Sequence, residues 1–141
     1  MFDGYLIDHE ISAQAIWERV ANHLLQQGMA SLSNETATCA YYGRDGLKCA
    51  IGILIPENEY TPTVEGQPIL NLFDRYYCPP TLHKMRQFRE LMCDLQRVHD
   101  LDFMGNLRPQ WYIDLINVGR QYNLDTSVIE NKWKDKLAMV Y

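Results

Sequence analysis

Cysteines at 39, 49, 78 and 93 and histidines at 9, 23, 83 and 99 carry the widest chemical repertoire in this chain. Thiolates and imidazoles together suggest either a tetrahedral metal site or an activated thiol nucleophile. A structural zinc site normally draws its ligands from short pairs such as C-x₂₋₄-C. Here nine, twenty-eight and fourteen residues separate successive cysteines, and His83 is the one imidazole close to Cys78. That spacing argues against zinc and favours small buried hydrophobes, since free cysteine is among the most buried residue types. On a hairpin, Cys39 and Cys49 could sit on neighbouring positions and form a disulfide under oxidation, though nothing demands it. A catalytic thiol needs a partner that stabilises its thiolate, and His83 and His99 are the available imidazoles. Neither lies in a cysteine-enzyme signature, and Cys93 falls near an apolar helical stripe, which makes it core.

"RVHDLD" places His99 beside Asp100 and Asp102. An imidazole next to a carboxylate can be a general base or a metal ligand. The position is also where a helix should end, and a cationic histidine there favours the helix dipole. The capping reading is preferred, and His9 and His23 read as surface residues of the first helix. Glu57, Glu59 and Glu65, with Asp74 beyond, form an acidic stretch without calcium-loop spacing, and so a solvated loop. Phosphate-loop, dinucleotide, nucleophile-elbow and zincin motifs are missing, so no cofactor and no metal is implied. Tyr41, Tyr42, Tyr60, Tyr76 and Tyr77 cluster around one region. Tyrosine joins an apolar body to a polar tip, which suits a contact surface as well as the sealed edge of a small core.

The elements that must position these residues are mostly helical. "DHEISAQAIWERVANHLLQQG" carries Ala13, Ile16, Trp17, Val20 and Leu24 on one stripe, with Asp8 or Ser12 as N-cap and Gly28 as stop. "TCAYY" and "KCAIGILI" flank Asp45-Gly46, a hairpin-turn signal, and Pro56 ends the second strand. "ILNLFDRYY" reads as a short helix. "TLHKMRQFRELMCDLQRVHD" reads as one long helix with Met85, Phe88, Leu91, Met92, Leu95 and Val98 inward. "RPQWYIDLINVGRQYN" follows, with Trp111, Leu115, Val118 and Tyr122 on one side. In the last helix Ser127 and Glu130 fit a capping box, and Val128, Ile129, Trp133 and Leu137 form the stripe. The expected fold is α+β and mostly helical, about four to five helices packed around one β-hairpin. At 141 residues, with no linker and no repeat, it reads as a single globular domain spanning 1–141.

A net charge of −5 argues against duplex nucleic acid as a partner, whose binding rests on Lys and Arg neutralising phosphates. No apolar stretch approaches the ~20 residues of a membrane span, and the N-terminus lacks a secretory pattern, so the expected location is cytoplasmic with reduced thiols.

"CAYYGRDGLKCAIGILIPENEY" fits the pattern C-x-Y-x-G, then C-A-x-G-x-L-I-P-[DE]-x-x-Y, through Cys39, Tyr41, Gly43, Cys49, Ala50, Gly52, Leu54, Ile55, Pro56, Glu57 and Tyr60. A downstream L-Q-x-x-H-D element is met by Leu95, Gln96, His99 and Asp100. In both features the chain resembles a group of small uncharacterised proteins encoded by bacteriophages and prophages. The resemblance implies an accessory protein, made in the cytoplasm of a bacterial host, that engages a host protein or sequesters a small molecule. It also singles out Cys39, Cys49, His99 and Asp100, which would share a pocket if the hairpin packed on the third helix. The reading is therefore a non-enzymatic binding protein using the tyrosine region. The alternatives are a small enzyme or metal protein built on Cys49, His99 and Asp100, and a structural homo-oligomer.

Overall fold

The computed structural model describes residues 11–33, 39–74, 77–101 and 107–138. His9, Tyr76, Asp8 and Asp102 lie outside them, as does the side chain of Leu137. The described residues form six α-helices: α1 (Ala13–Gln27), α2 (Ile69–Phe73), α3 (Pro80–Lys84), α4 (Arg89–Leu101), α5 (Leu107–Gln121) and α6 (Ser127–Ala138). Helix α1 packs against α4, α5 and α6, while α4 also meets α2 and α5. None of these helices is long and apolar enough to cross a membrane.

Helix α1 follows its sequence closely. Ile16, Trp17, Val20, Ala21, Leu24 and Leu25 are fully buried on one face. Ser12 Oγ accepts from the Ala15 N–H at 3.0 Å, and Gly28 closes the helix at φ 69°, a left-handed conformation that costs glycine little. The Trp17 indole donates to the Leu115 carbonyl at 2.9 Å, so α1 and α5 are joined by a polar bond inside an apolar contact.

The expected β-hairpin does not form, and the fold is all-α rather than α+β. Asp45 and Gly46 do adopt left-handed φ values of 58° and 75°, and Gly43 N–H reaches the Leu47 carbonyl at 2.8 Å. Past this turn the pairing consists of an isolated Tyr42–Lys48 bridge and one bond from Cys49 N–H to the Tyr41 carbonyl. Cys39 pairs with Leu32 instead. The expected second strand coils into a 3₁₀ turn over Gly52–Leu54, with Ile53 bonded to Cys49, Leu54 to Ile51 and Ile55 to Gly52. The cause lies in its composition. Cys49, Ala50, Ile51, Leu54 and Ile55 are all buried, and an apolar run without alternation suits a buried turn as well as a strand. The N–H groups of Ile53, Leu54 and Ile55 then find partners within the segment, and that of Ile51 finds the Gln96 side chain, without a neighbouring strand.

The long helix expected over 81–100 is also interrupted. Helix α3 ends at Lys84, Met85 sits at φ −97° and ψ 4°, and a 3₁₀ turn covers Arg86–Phe88 before α4 begins. Arg86 Nη1 takes the His83 carbonyl that a continuous helix would give to residue 87. The α6 cap is shifted from the expected box. Asp125 Oδ1 accepts the Ser127 N–H at 3.0 Å, and Thr126 donates to Glu130. Val128, expected in the stripe, is 48 % exposed.

Gly52 locks the coiled segment onto the preceding loop, for a Cβ there would lie 1.9 Å from the Tyr41 carbonyl oxygen. Gly66 has φ 77° but open space around it. Gly66→Ala should therefore cost only the left-handed penalty, about 1–2 kcal/mol. Gly52→Ala must displace backbone and should cost roughly 3 kcal/mol or more. Urea unfolding of both variants checks the order, and equal losses would contradict this packing.

Candidate functional site

The L-Q-x-x-H-D element lies on α4, where spacings of three and four residues bring Gln96, His99 and Asp100 to neighbouring positions. Leu95 is buried in the core, while the polar side chains reach toward the loops that follow α1. His99 is completely buried. Its Nε2 receives the Ser31 backbone N–H at 2.9 Å, and its Nδ1 lies 2.9 Å from Asp100 Oδ1. A backbone N–H can only donate, so Nε2 carries the lone pair and Nδ1 carries the proton, which it donates to the carboxylate. The same Oδ1 receives the Gln96 amide at 2.7 Å, and Gln96 Oε1 accepts the Ile51 N–H at 3.2 Å.

Ser31 extends the network across the loops. Its hydroxyl bonds the Ala40 carbonyl at 2.8 Å and meets the Leu47 carbonyl at 3.2 Å. Gly43 lies so close that a Cβ there would fall 2.3 Å from Ser31 Oγ. Cys39 is thereby brought to α4, where its thiol lies within 4.8 Å of an Asp100 carboxylate oxygen. The ligand-type atoms of Cys39, His99 and Asp100 all lie within 4.8 Å of one another. Beside them is a cavity of about 330 Å³ whose lining includes Cys39, Tyr41, Cys49, Gln67, Gln96 and Asp100. Other depressions of about 490, 460 and 360 Å³ are larger, but none of them holds a cysteine or a histidine–carboxylate pair.

The grouping has the composition of a cysteine triad but a different order. A thiol protease places histidine between nucleophile and acid. Here the carboxylate stands between thiol and imidazole, and the imidazole lone pair is spent on Ser31. Burial, reinforced by the Asp100 charge, pushes the Cys39 thiol up to about 12. Burial lifts Cys49 to about 12 as well, although the N–H groups of Gly52 and Ile51 pull it partly back. Cys78 and Cys93 are raised too, chiefly by burial. All four thiols are free. Metal ligation through His99 Nδ1 would move the ring proton to Nε2, setting two N–H donors face to face across 2.9 Å. The tautomer and a metal at this trio are in conflict.

His99 does lie in the last turn of α4, where a helix end was expected, but it is a buried neutral tether rather than a cationic cap. His23 is not a surface residue either. It is half-buried and bonds the Lys48 carbonyl at 2.7 Å, and burial lowers its pKa from 6.5 to about 4.

The tyrosines serve mainly to bind loop to loop. Tyr41 is 6 % exposed, and its hydroxyl donates to the Gln67 carbonyl. Tyr42 and Tyr60 stack with centroids 4.0 Å apart and planes 5° from parallel, with Lys48 Nζ 4.5 Å above the Tyr42 ring. Tyr42 donates to the Ile55 carbonyl, and Tyr77, which is 36 % exposed, donates to that of Glu59. Tyr41 alone of these lines the cavity.

Glu65, expected in a solvated loop, accepts the Tyr41 and Tyr42 N–H groups at 2.9 and 3.0 Å and the Tyr60 hydroxyl at 2.6 Å. Glu59 receives both the N–H and the hydroxyl of Thr81, each at 2.8 Å. No local pattern marks the roles of Glu65 and Ser31, because their partners are remote in the chain. Gln96 was visible inside the L-Q-x-x-H-D element.

Comparison with protein-family models, curated proteins and solved structures finds no match to this chain.

The raised thiols make a kinetic prediction. Three pH units lower the thiolate fraction roughly thousandfold, partly offset by the greater nucleophilicity of a more basic thiol. Iodoacetamide at pH 8 should label Cys39 and Cys49 at least about thirtyfold more slowly than a free cysteine peptide. Labelling of either site faster than the peptide, followed by mass spectrometry of the folded chain, would contradict the assignment.

Proposed function

We propose that this chain is a non-enzymatic binding protein and that the cavity beside Cys39, Cys49 and Asp100 holds a small molecule. One observation carries the reading. The two motif-bearing segments, 39–60 and 95–100, meet at a cavity whose reactive groups are each restrained. The thiols are held protonated and the imidazole is committed at both nitrogens. A site that gathers polar groups while suppressing their reactivity supports recognition by shape and hydrogen bonding. This accords with an accessory protein of phage type that sequesters a small molecule in a bacterial host. Of the described tyrosines expected to form the contact surface, Tyr41 is a wall of the cavity, and Tyr42, Tyr60 and Tyr77 brace neighbouring loops.

Incubating the folded protein with a small-molecule extract of bacterial cells, followed by native mass spectrometry, tests the reading. Gln67→Trp should fill the cavity yet leave the Gln67 carbonyl free to hold Tyr41. The expected result is an adduct on the native chain that is lost on denaturation and is missing from the Gln67→Trp protein. A native chain without adduct, or one whose adduct survives the substitution, would refute the cavity as the site.

A further inference from the structure

Among the described residues, no cationic group neutralises Asp100 at the cavity. Three groups approach its carboxylate: the His99 Nδ1–H, the Gln96 amide and the Cys39 thiol. The Ser31 N–H fixes His99 in its neutral tautomer, so the His99 contact, at 2.9 Å, is a hydrogen bond rather than an ion pair. Gln96 has no charge, and the Cys39 thiol is held protonated. Among the described residues, no lysine or arginine lines the cavity. The Asp100 side chain is nevertheless 42 % exposed, so a ligand can reach it. Around it stand the apolar Ala40, Pro68 and Ile69 and the ring-bearing Tyr41.

We infer that the ligand is a small organic cation whose ammonium group pairs with Asp100 and whose carbon skeleton lies on the Tyr41–Ile69 wall. The inference rests on the cavity being the binding site. A charge-assisted bond to nitrogen is stronger than a neutral one, and the partial exclusion of water in a cavity strengthens it further. Hard divalent cations fit less well, because they require six or more oxygen ligands and the lining offers a single carboxylate. An anionic ligand would meet the Asp100 charge directly.

The test is a titration of the ¹⁵N-labelled full chain with n-butylammonium chloride, with neutral n-butanol and, separately, with zinc chloride. Saturable amide shifts around 39–41, 66–69 and 96–100 are expected for n-butylammonium, with affinity about tenfold or more above that for n-butanol. Asp100→Asn retains an oxygen acceptor for His99 and Gln96, and should reduce n-butylammonium to the level of n-butanol. Gln67→Trp should abolish the response to both probes. Equal affinities of the two probes for the native chain would overturn the inference, even if Asp100→Asn failed to fold. So would unchanged n-butylammonium binding in Asp100→Asn, or one-to-one zinc binding that Asp100→Asn abolishes. Equal binding of both probes that Gln67→Trp eliminates would leave the cavity standing as the site while removing the cation. Failure of both probes would also overturn the cation, and the extract experiment would then decide the cavity independently.

Discussion

The hydrogen bond from the Ser31 N–H to His99 Nε2 is the constraint on which the rest of the site depends. It crosses 68 residues of sequence and joins the chain leaving α1 to the middle of the core. Because the donor is a backbone amide, it also sets the state of the ring. The imidazole must be neutral, with its proton on Nδ1 and directed at Asp100. Stacking on Trp111, with ring centres 5.7 Å apart, holds the ring from a second element. From this one contact follow the negative charge at the cavity, the missing general base and the conflict with a metal.

The described residues between α1 and α2 form only short 3₁₀ turns and isolated bridges, yet several of them are buried and their backbone groups must find partners. Side chains supply them where strands do not. Glu65 takes two consecutive amides at Tyr41 and Tyr42, Gln96 takes Ile51, and Ser31 takes the Ala40 carbonyl. Glycines at 43 and 52 allow the loops to approach at distances that a Cβ would forbid. A loop cluster fixed in this way can shape a cavity without a sheet beneath it. The same burial that fixes it raises the thiols, so rigidity and chemical quiescence share a cause.

Legibility in the sequence followed the range of the interactions. Helix α1 was readable from Ser12 to Gly28 because its stripe and both caps are local. The Asp45-Gly46 turn was readable for the same reason, but the strands around it were not. An apolar run from Cys49 to Ile55 looks alike whether it pairs with a neighbour or coils into the core. A pocket shared by Cys39, Cys49, His99 and Asp100 was expected on condition that a hairpin packed on the third helix; Cys39, Cys49 and Asp100 line one cavity, while His99 lies buried behind Asp100 and does not line it. Their convergence occurs through turns and through Ser31 instead. The roles of Ser31 and Glu65 were out of reach, since nothing near them in sequence names their partners. His99 was read as a cationic cap because the end of its helix is visible in the sequence while its burial and its bond to Ser31 are not.

The most direct test of the account is the protonation state of His99, read from the imidazole nitrogens by long-range ¹H–¹⁵N correlation on the folded chain at neutral pH. The account predicts a neutral ring with a protonated, pyrrole-type Nδ1 and an unprotonated Nε2 that accepts from the Ser31 amide. A ring protonated at both nitrogens would turn the Asp100 contact into an ion pair and remove the uncompensated charge at the cavity. A proton on Nε2 alone would break the tether to Ser31 and reopen Nδ1 to a metal. Either result would contradict the account.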